Sequence, residues 1–256
     1  MVGLTLKVIP VKSYVKLTYT PFKNGRFGDK VRELAFSDAD FVEATVFSMT
    51  DAVVMDASFV DKSECPDVPV NTLMERYYAP YFYKEVEKKL ENEGATSELV
   101  DLRTYIFRHN KAIFWTLRDQ FPTWVGNSAL FRYALGWSLP PLVTFLKMPA
   151  TQKIRHEMKH LRVYQDIVLP ISTIEQALAK ADELFGIWPV LVYPSKVVKH
   201  DDVAFEGQFP VRACDENKEM FYDLGVYGIP REVREGKDYP GLERMRAIEA
   251  FTTSVG

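Results

Sequence analysis

Cysteine is scarce in this chain of 256 residues, which contains only Cys65 and Cys214 and no Cys-x-x-Cys pair. Two cysteines cannot build the disulfide framework of a small secreted protein, so a reduced or cytosol-facing compartment is favoured. Basic charge is not in excess either, because 32 Lys and Arg face 35 Asp and Glu and give a net charge of −3. The composition therefore predicts no nucleic-acid partner.

Long apolar runs and glycine-rich turns are missing as well. The longest uncharged stretch, residues 133–146, is interrupted by Pro140 and Pro141. It is shorter than the roughly 18 residues of a membrane-spanning helix. Residues 1–10 lack the charged and apolar regions of a signal peptide. No Gly-x-Gly-x-x-Gly occurs in the chain, which excludes the usual turn that holds the pyrophosphate of a dinucleotide.

Aromatic residues, by contrast, are concentrated between Tyr105 and Lys147. Ten of the 43 residues in this segment are aromatic, and three of the four tryptophans lie there. The segment also contains Arg108 and His109 and almost no acidic residues. This composition predicts an apolar pocket wall with one cationic corner, or a membrane-facing surface. A plain hydrophobic core is the ordinary alternative.

Hydrophobic periodicity predicts a β-α-β-β-α order for the first half of the chain. Thr50-Asp51 is interpreted as a tight hairpin turn. Glu85 and Lys89 are one helical turn apart in the last helix, which Gly94 should end. The predicted elements are a strand over 11–19, a short helix with Phe27, Val31, Leu34 and Ala35 on one face, strands over 41–49 and 52–60, and a helix over 77–93.

The second half repeats this order. Ser172-Thr-Ile-Glu175 matches a capping box that opens a helix, and Gly186 should end that helix. Its predicted buried stripe is Ile174, Ala177, Leu178, Ala181 and Leu184. The other predicted elements are strands over 163–169, 188–193 and 220–227 and a final helix over 241–253.

The predicted fold class is therefore α+β. We expect a mainly antiparallel sheet made of two β-α-β-β-α halves, with the helices packed on one side. The first half covers residues 1–94, the aromatic connection covers 95–150, and the second half covers 151–256. A connection of that length with its own aromatic residues is typical of a functional or packed segment.

The segment His156-Glu157-Met158-Lys159-His160 matches the zinc-hydrolase pattern His-Glu-x-x-His. The positive charges of Lys153, Arg155, Lys159 and Arg162 would repel a metal ion there. The longer metzincin pattern also fails, because Val163 and Asp166 stand where it requires glycine and histidine. A polar surface helix is the favoured interpretation, and no metal ligand is predicted.

A series of uncommon residue combinations extends along the whole chain. They are Tyr105-x-x-Arg-His109, Phe114-Trp115, Phe131-Arg-Tyr133, Gly136-Trp137 before Pro140-Pro141, Gln165-Asp166 and Asp223-x-Gly225-x-Tyr227. In this order they resemble the Δ24-sterol reductases, and the likeness covers essentially all 256 residues. The resemblance implies an FAD-dependent oxidoreductase of the vanillyl-alcohol-oxidase type, which uses NADPH to reduce the C24 double bond of a sterol side chain.

The resemblance also implies partners and a location. Members of that family carry a membrane anchor and a flavin-binding domain, and we expect this chain to be their substrate (cap) domain without the flavin-binding domain. Alone it would be inactive. Its expected partners are a sterol, the flavin-binding domain of the same polypeptide and a membrane surface. The expected location is a membrane, that of the endoplasmic reticulum in a eukaryote, with a cytosol-facing domain.

Reduction of an isolated alkene requires a proton donor and stabilisation of the positive charge that develops on the neighbouring carbon. The candidate acids at family-matching positions are Asp166, His109 and Tyr227. Asp166 would have a raised pKa if buried, or it could be a structural partner of the backbone or of Arg108. Tyr227 could equally be an ordinary half-buried aromatic residue of a sheet.

Further residues are candidates for substrate or cofactor binding. Arg108 could hold the sterol hydroxyl or the flavin, or could close an ion pair between elements. Asp223 and Tyr227 share a strand face by the period of two and could share a pocket. The full set is Arg108, Trp115, Arg132, Trp137, Gln165 and Asp223. A lipid- or sterol-binding module without redox chemistry and a zinc hydrolase built on His156, Glu157 and His160 remain the alternative functions.

Overall fold

The structure, a computed structural model, describes residue 3 and residues 8–119, 128–139, 160–196 and 220–255. The described strands are β1 (Tyr14–Phe22), β2 (Phe41–Val46), β3 (Ala52–Val60), β4 (Thr96–Asp101), β5 (Val163–Pro170), β6 (Val190–Lys196) and β7 (Met220–Gly228). They form one sheet in the order β4-β1-β3-β2-β6-β7-β5, and each neighbouring pair is antiparallel. The predicted α+β class is confirmed.

Helices flank this sheet. They are α1 (Phe27–Ala35), α2 (Phe82–Lys89), α3 (Leu102–Ile106), α4 (Ala129–Leu135), α5 (Ile174–Leu184), α6 (Arg231–Arg234) and α7 (Gly241–Val255). In the described parts of the chain, no helix has both the length and the apolar character that crossing a bilayer requires.

Both faces of the sheet are covered, as the alternation of β3 shows. Ala52 and Val54 belong to one core together with residues of α1, α5 and α7. Val53 and Met55 belong to a second core together with residues of α2 and α3. The prediction that the helices pack on one side is therefore wrong, because α2, which precedes β4, and the chain that follows β4 both cover the second face. We call that second face, with α2, α3 and residues 107–119 on it, the aromatic face.

The first half follows the predicted order with different bounds. Val15, Leu17 and Tyr19 are buried as the alternation predicts, although β1 begins at Tyr14. The predicted two-residue turn at Thr50-Asp51 is wrong. β2 and β3 are joined by the loop 47–51, in which the N–H of Phe47 donates to the carbonyl of Asp51 at 2.8 Å.

The helix predicted over 77–93 is shorter, spanning Phe82–Lys89. Pro80 lies just before it and keeps the preceding residue out of the helical conformation. Glu85 pairs with Lys88 at 2.8 Å instead of with Lys89, and the helix ends before Gly94 is reached. The sequence did not predict β4, which adds to β1 at the edge of the sheet.

The second half matches the prediction closely, and the predicted stripe of α5 is buried. The predicted capping box, which begins at Ser172, is wrong, because the N-cap of α5 is Thr173 and no side chain caps the helix. Thr173 Oγ1 donates to the carbonyl of Pro170 at 2.7 Å instead. Glu175 instead accepts hydrogen bonds from Arg32 of α1 at 2.8 and 3.0 Å. Gly186, with φ of +58°, follows the helix end as predicted.

The two halves of the sheet meet where β2 pairs with β6. This seam consists of the residue pairs Ala44–Val192, Thr45–Leu191 and Val46–Val190. The ladder between β1 and β3, in comparison, extends from Tyr14–Val60 to Phe22–Ala52. Residues of both halves on either side of the seam contribute to the aromatic face.

Candidate functional site

Strand alternation places Asp166 of β5 and Asp223 and Tyr227 of β7 together on the aromatic face. Asp166 pairs with Gly225, which lies midway between Asp223 and Tyr227 on β7. The Tyr227 ring folds back over Gly225, where an added Cβ would lie 2.8 Å from the tyrosine hydroxyl. That hydroxyl donates a hydrogen bond to the carboxylate of Asp166. We call Asp166, Asp223 and Tyr227 the open acid group.

The members of the open acid group differ in their surroundings. Burial and, to a smaller extent, the negative charge of Asp166 raise the pKa of Asp223 to about 6, against the opposing effect of a hydrogen bond from the backbone of Ile167. Asp223 Oδ1 is buried without a hydrogen-bond partner among the described residues. Burial also raises the pKa of Tyr227, and its hydrogen bond to Asp166 acts in the same direction. Asp223 is thus a carboxyl that exchanges its proton near neutral pH.

The structural role expected for Asp166 needs correction. Asp166 is exposed rather than pointing into a core, and its side-chain partner is Tyr227 instead of the backbone or Arg108. Tyr227 is a half-buried aromatic residue of the sheet, as its ordinary interpretation expected, and its hydroxyl also donates to the Asp166 carboxylate. The open acid group is therefore accessible from one side of the sheet.

A second cluster on the same face is buried. Glu43 of β2 is 2% exposed and accepts hydrogen bonds from Arg108 Nη2 at 2.7 Å and Nε at 3.2 Å. His109 Nε2 lies 3.4 Å from the same carboxylate. The guanidinium of Arg108 also stacks over the ring of Tyr105 at 4.0 Å. We call Glu43, Arg108 and His109 the buried ion-pair group.

Charges within the buried ion-pair group compensate one another. Burial alone would raise the pKa of Glu43, but the charges of Arg108 and His109 lower it to about 2. Burial lowers the pKa of His109, and the Glu43 carboxylate opposes this shift. Arg108 therefore closes an inter-element ion pair, which was one of the two roles left open for it. The sequence did not identify Glu43 as a site residue.

Phe114 and Trp115 connect the two groups. The Phe114 ring stacks on His109 with centroids 4.7 Å apart and packs against Tyr227 at 5.2 Å. Trp115 is fully buried and its Nε1 donates to the backbone carbonyl of Tyr227 at 2.8 Å. Ile113 and Phe114 have φ of +47° and +62°, a left-handed conformation that is costly for residues other than glycine. This strained turn carries the aromatic bridge between the groups.

The other predicted binding residues lie elsewhere. Gln165 alternates with Asp166 and shares the parity of Val163 and Ile167, which are buried on the opposite face. Arg132 donates to the carbonyl of Tyr78 at 3.0 Å. Trp137 is 70% exposed and its Nε1 donates to Ala134 at 2.9 Å. The described contacts thus do not bring Gln165, Arg132 or Trp137 to the open acid group.

Two sequence motifs fall partly or wholly outside the described residues. His156 and Glu157 of the His-Glu-x-x-His pattern lie outside the described residues, and so do Pro140 and Pro141. His160 is described. In the ranges that the structure does describe, no three His, Cys, Asp or Glu side chains come together as metal ligands.

A groove of about 660 Å³ opens beside the buried ion-pair group. Phe82, Phe107 and Arg108 line it, with acidic and basic side chains at its rim that include Glu85 and Lys111. Its volume lies within the range of small-molecule sites. The mixed charge of the rim does not single out one class of ligand.

Comparison with known proteins gives relatives over the whole chain. The Delta(24)-sterol reductase of Homo sapiens is 30% identical over 260 residues, covering 100% of this chain and 47% of the human protein. The Caenorhabditis elegans homolog is 31% identical over 262 residues with the same coverage. The Pisum sativum enzyme is 30% identical over 275 residues, covering 98% of this chain.

The chain thus spans about half the length of the curated relatives it matches. No protein-family model matches it. The resemblance inferred from the aromatic, glycine and proline combinations is confirmed.

Proposed function

We propose, from the kinship of this chain with the Δ24-sterol reductases over its whole length, that it forms the substrate-binding part of an enzyme that reduces the C24 double bond of a sterol side chain. The observation that carries the proposal is the open acid group beside the Phe114 and Trp115 rings. An acid next to aromatic faces is what protonation of an unactivated alkene requires.

Asp223 is our choice for the proton donor. A general acid works best when its pKa is close to the working pH, and burial raises the pKa of Asp223 to about 6. In the proposed step the Asp223 proton moves to one alkene carbon while a hydride adds to the other, and Asp223 regains its proton from solvent. Asp166 holds the Tyr227 hydroxyl beside it. Asp166, Tyr227 and His109, the acids chosen from the sequence, become supporting residues.

The aromatic rings have a separate role in this proposal. Positive charge develops on the tertiary carbon during protonation, and ring faces attract such charge. Phe114 and Trp115 both pack against Tyr227, at centroid distances of 5.2 and 5.8 Å. The Phe114 ring, which is only partly buried, supplies the apolar contact that a sterol side chain needs, and the fully buried Trp115 ring supports Tyr227 from behind.

FAD is the hydride carrier implied by the resemblance, and the described residues do not fit its diphosphate. Gly25, with φ of +74°, lies between β1 and α1, the strand–turn–helix arrangement that most resembles a phosphate cradle. The first turn of α1 carries Asp29, and the Glu175 carboxylate occupies the space beside Gly28. These acidic groups would repel a phosphate. We therefore propose that the main FAD contacts lie outside the described residues.

The flavin proposal is tested by adding FAD to the purified chain and recording the visible spectrum after removal of free FAD. We expect no stoichiometric bound flavin and no reduction of a C24-unsaturated sterol by the chain alone. A stoichiometric bound-flavin spectrum would overturn this part of the proposal.

The acid assignment is tested in a preparation that reduces a C24-unsaturated sterol with FAD and NADPH. Asp223→Asn should lower the rate about a hundredfold. In the unsubstituted protein the rate should fall as pH rises above about 6, because Asp223 then loses its proton. Gln165→Ala, on the other side of the sheet, is the matched control and should leave the rate unchanged. If Asp223→Asn reduces the sterol at the rate of the unsubstituted protein, Asp223 is not the proton donor.

The membrane surface remains a partner that we propose on the basis of the family resemblance. The substrate class itself is lipid, and α4 with the following turn exposes Leu130, Tyr133 and Trp137. If the preparation supplied with FAD and NADPH binds a C24-unsaturated sterol but does not reduce it, the alternative function, a lipid-binding module, is favoured.

A further inference from the structure

Three arginines from separate segments lie around Asp119 at the end of β7. Arg118 and Asp119 end the turn Thr116–Asp119, Arg162 precedes β5, and Arg234 belongs to α6. Arg118 Nε lies 3.7 Å from Asp119 Oδ1, and Arg162 Nη2 donates to the carbonyl of Asp119 at 3.5 Å. Arg118, Arg162 and Arg234 all act electrostatically on the Asp119 carboxylate. We call these four residues the arginine cluster.

The charges of the arginine cluster do not balance. Among the described residues of the cluster one carboxylate faces three guanidiniums, which leaves two positive charges in excess. Glu87 also acts on Arg118, but its carboxylate is paired with Lys84 at 2.5 Å. Burial lowers the pKa of Arg118, and the charge of Arg234 lowers it further although Asp119 opposes this. Asp119 Oδ2 is itself buried with no hydrogen-bond partner in the described parts of the chain. Gathering like charges in a partly buried place is costly unless a counter-charge is supplied.

Protein contacts use only part of the donor capacity of these arginines. Arg118 Nη2 donates to the carbonyl of Trp188, and Arg234 Nη2 donates to that of Gly186 at 2.8 Å. Each guanidinium has five N–H donors in a planar fork. The carbonyl contacts therefore fix the positions of the guanidiniums and leave N–H groups for a ligand. Arg234 is exposed and Arg162 is partly exposed, so an anion can reach them.

The arginine cluster borders the proposed site. An added Cβ at Gly228, the residue after Tyr227, would lie 3.5 Å from Asp119 Oδ2. Trp115, which donates to the Tyr227 carbonyl, lies only three residues before Arg118. A ligand held by the arginines would therefore bind close to the end of the strand that carries the open acid group.

We propose that Arg118, Arg162 and Arg234 bind a phosphate group of a nucleotide ligand. A phosphate dianion matches the two excess positive charges, and the guanidinium fork matches its oxygens. NADPH is the reductant of the proposed reaction, and its 2′-phosphate is the phosphate group that we assign to this site. The phosphate site rests on the arrangement of charges, whereas its assignment to NADPH rests on the proposed function.

The proposal is tested by calorimetric titration of the whole chain with NADPH, NADH and pyrophosphate, without sterol or FAD. We expect saturable binding of NADPH that weakens about tenfold in Arg234→Gln and further in the double variant Arg162→Gln/Arg234→Gln. Arg246→Gln removes an exposed arginine of α7 and is the matched control, which should bind like the unsubstituted protein. Binding should weaken as salt is added. Unfolding curves of each variant verify that it is folded.

The ligands separate the possible sources of the phosphate. Tighter binding of NADPH than of NADH supports the 2′-phosphate. Equal binding of both dinucleotides and of pyrophosphate, lost in the double variant, supports a site for a diphosphate and removes its assignment to NADPH. Lack of binding by all three ligands at millimolar concentration, or binding unaffected in the double variant, would overturn the phosphate site. Because no turnover is measured, the outcome is independent of whether the sterol reduction occurs.

Discussion

The aromatic face holds two acidic clusters that differ in how their charge is compensated. In the buried ion-pair group, Glu43 is almost inaccessible, yet its pKa is lowered to about 2 because Arg108 and His109 surround it. In the open acid group, Asp223 is only partly buried, yet its pKa is raised to about 6 because burial and the neighbouring Asp166 act together. A paired carboxylate in a core stabilises the fold. A carboxylate beside another acid can carry a proton.

The contrast shows that depth of burial alone does not identify a reactive acid. The neighbouring charge determines whether the pKa of a buried carboxylate is raised or lowered. Burial opposes ionisation of both Glu43 and Asp223, and of these two only Glu43 has an arginine that overcomes this effect. Phe114 and Trp115 separate the two environments, so each group keeps its own electrostatic character.

Glu43→Ala should give the largest effect. It leaves the Arg108 guanidinium buried without its counter-charge, which costs about 3–5 kcal/mol of the free energy of unfolding. Urea denaturation at pH 7 measures this loss. The stability that Glu43 contributes is present above pH 4.5 and declines as pH falls towards its folded pKa of about 2, so the loss should shrink in acid.

Glu64→Ala is the matched control for that change. Glu64 pairs with Lys12 at 2.7 Å, but 48% of its side chain is exposed. Because water screens such an exposed pair, its removal should cost far less stability than the removal of Glu43. Equal losses in the two variants would remove the distinction between a core ion pair and an ordinary surface pair.

Trp115→Phe addresses the bridge between the groups. It removes the hydrogen bond to the Tyr227 carbonyl and part of a fully buried ring, and we expect a loss of about 2 kcal/mol. Trp137→Phe is the control, because that side chain is 70% exposed. A smaller loss at Trp115 than at Trp137 would show that the bridge does not support the face.

Asp223→Asn should have a smaller effect, and its sign depends on pH. The folded pKa of Asp223 is about 6 and the ordinary value is 3.8. Its contribution to stability is therefore fully present below about 3.8 and is lost as pH rises through 6. The variant has no carboxylate to ionise. Between pH 4 and pH 8 its free energy of unfolding should therefore rise by about 1 kcal/mol relative to that of the unsubstituted protein. Parallel pH profiles of the midpoint of urea unfolding for the two proteins would contradict the raised pKa.

Gln165→Ala should give the smallest effect. Gln165 lies across the sheet from Asp166, and its one side-chain hydrogen bond within the described ranges goes to the backbone carbonyl of Asp166 at 3.4 Å. We expect a change in stability of less than about 0.5 kcal/mol and an unchanged pH profile in the sterol assay. A change in that profile would mean that the open acid group extends to both sides of β5.

Most of the strand and helix order could be predicted from the sequence, because residues with strong periodicity specify their own buried face. Val15, Leu17 and Tyr19 are an example of this. β4 was missed because Thr96-Ser-Glu-Leu-Val-Asp101 has little alternation and is held by pairing with β1. The position of the helices was wrong because no local pattern shows that a connecting segment will cover the second face.

The candidate site was predictable only in part. The period of two placed Asp223 and Tyr227 together, and the same rule separates Gln165 from Asp166. The partnership of Glu43 with Arg108 joins residues 65 positions apart, which local reasoning does not reveal. A hint was present, since Glu43 is the only charge in the apolar run of β2, and a lone charge in such a run needs a buried partner.

The short seam between β2 and β6 has a consequence for cooperativity. Few ladder bonds join the four-stranded block with Glu43 to the three-stranded block with Asp223, while Trp115 and the Phe114 ring span both blocks on the aromatic face. Sub-global opening at such a joint exposes less surface than complete unfolding and therefore requires less free energy. Amide hydrogens of Ala44–Val46 should exchange with deuterium earlier than those in the middle of β3, so the two blocks would behave as separate foldons held together by aromatic side chains.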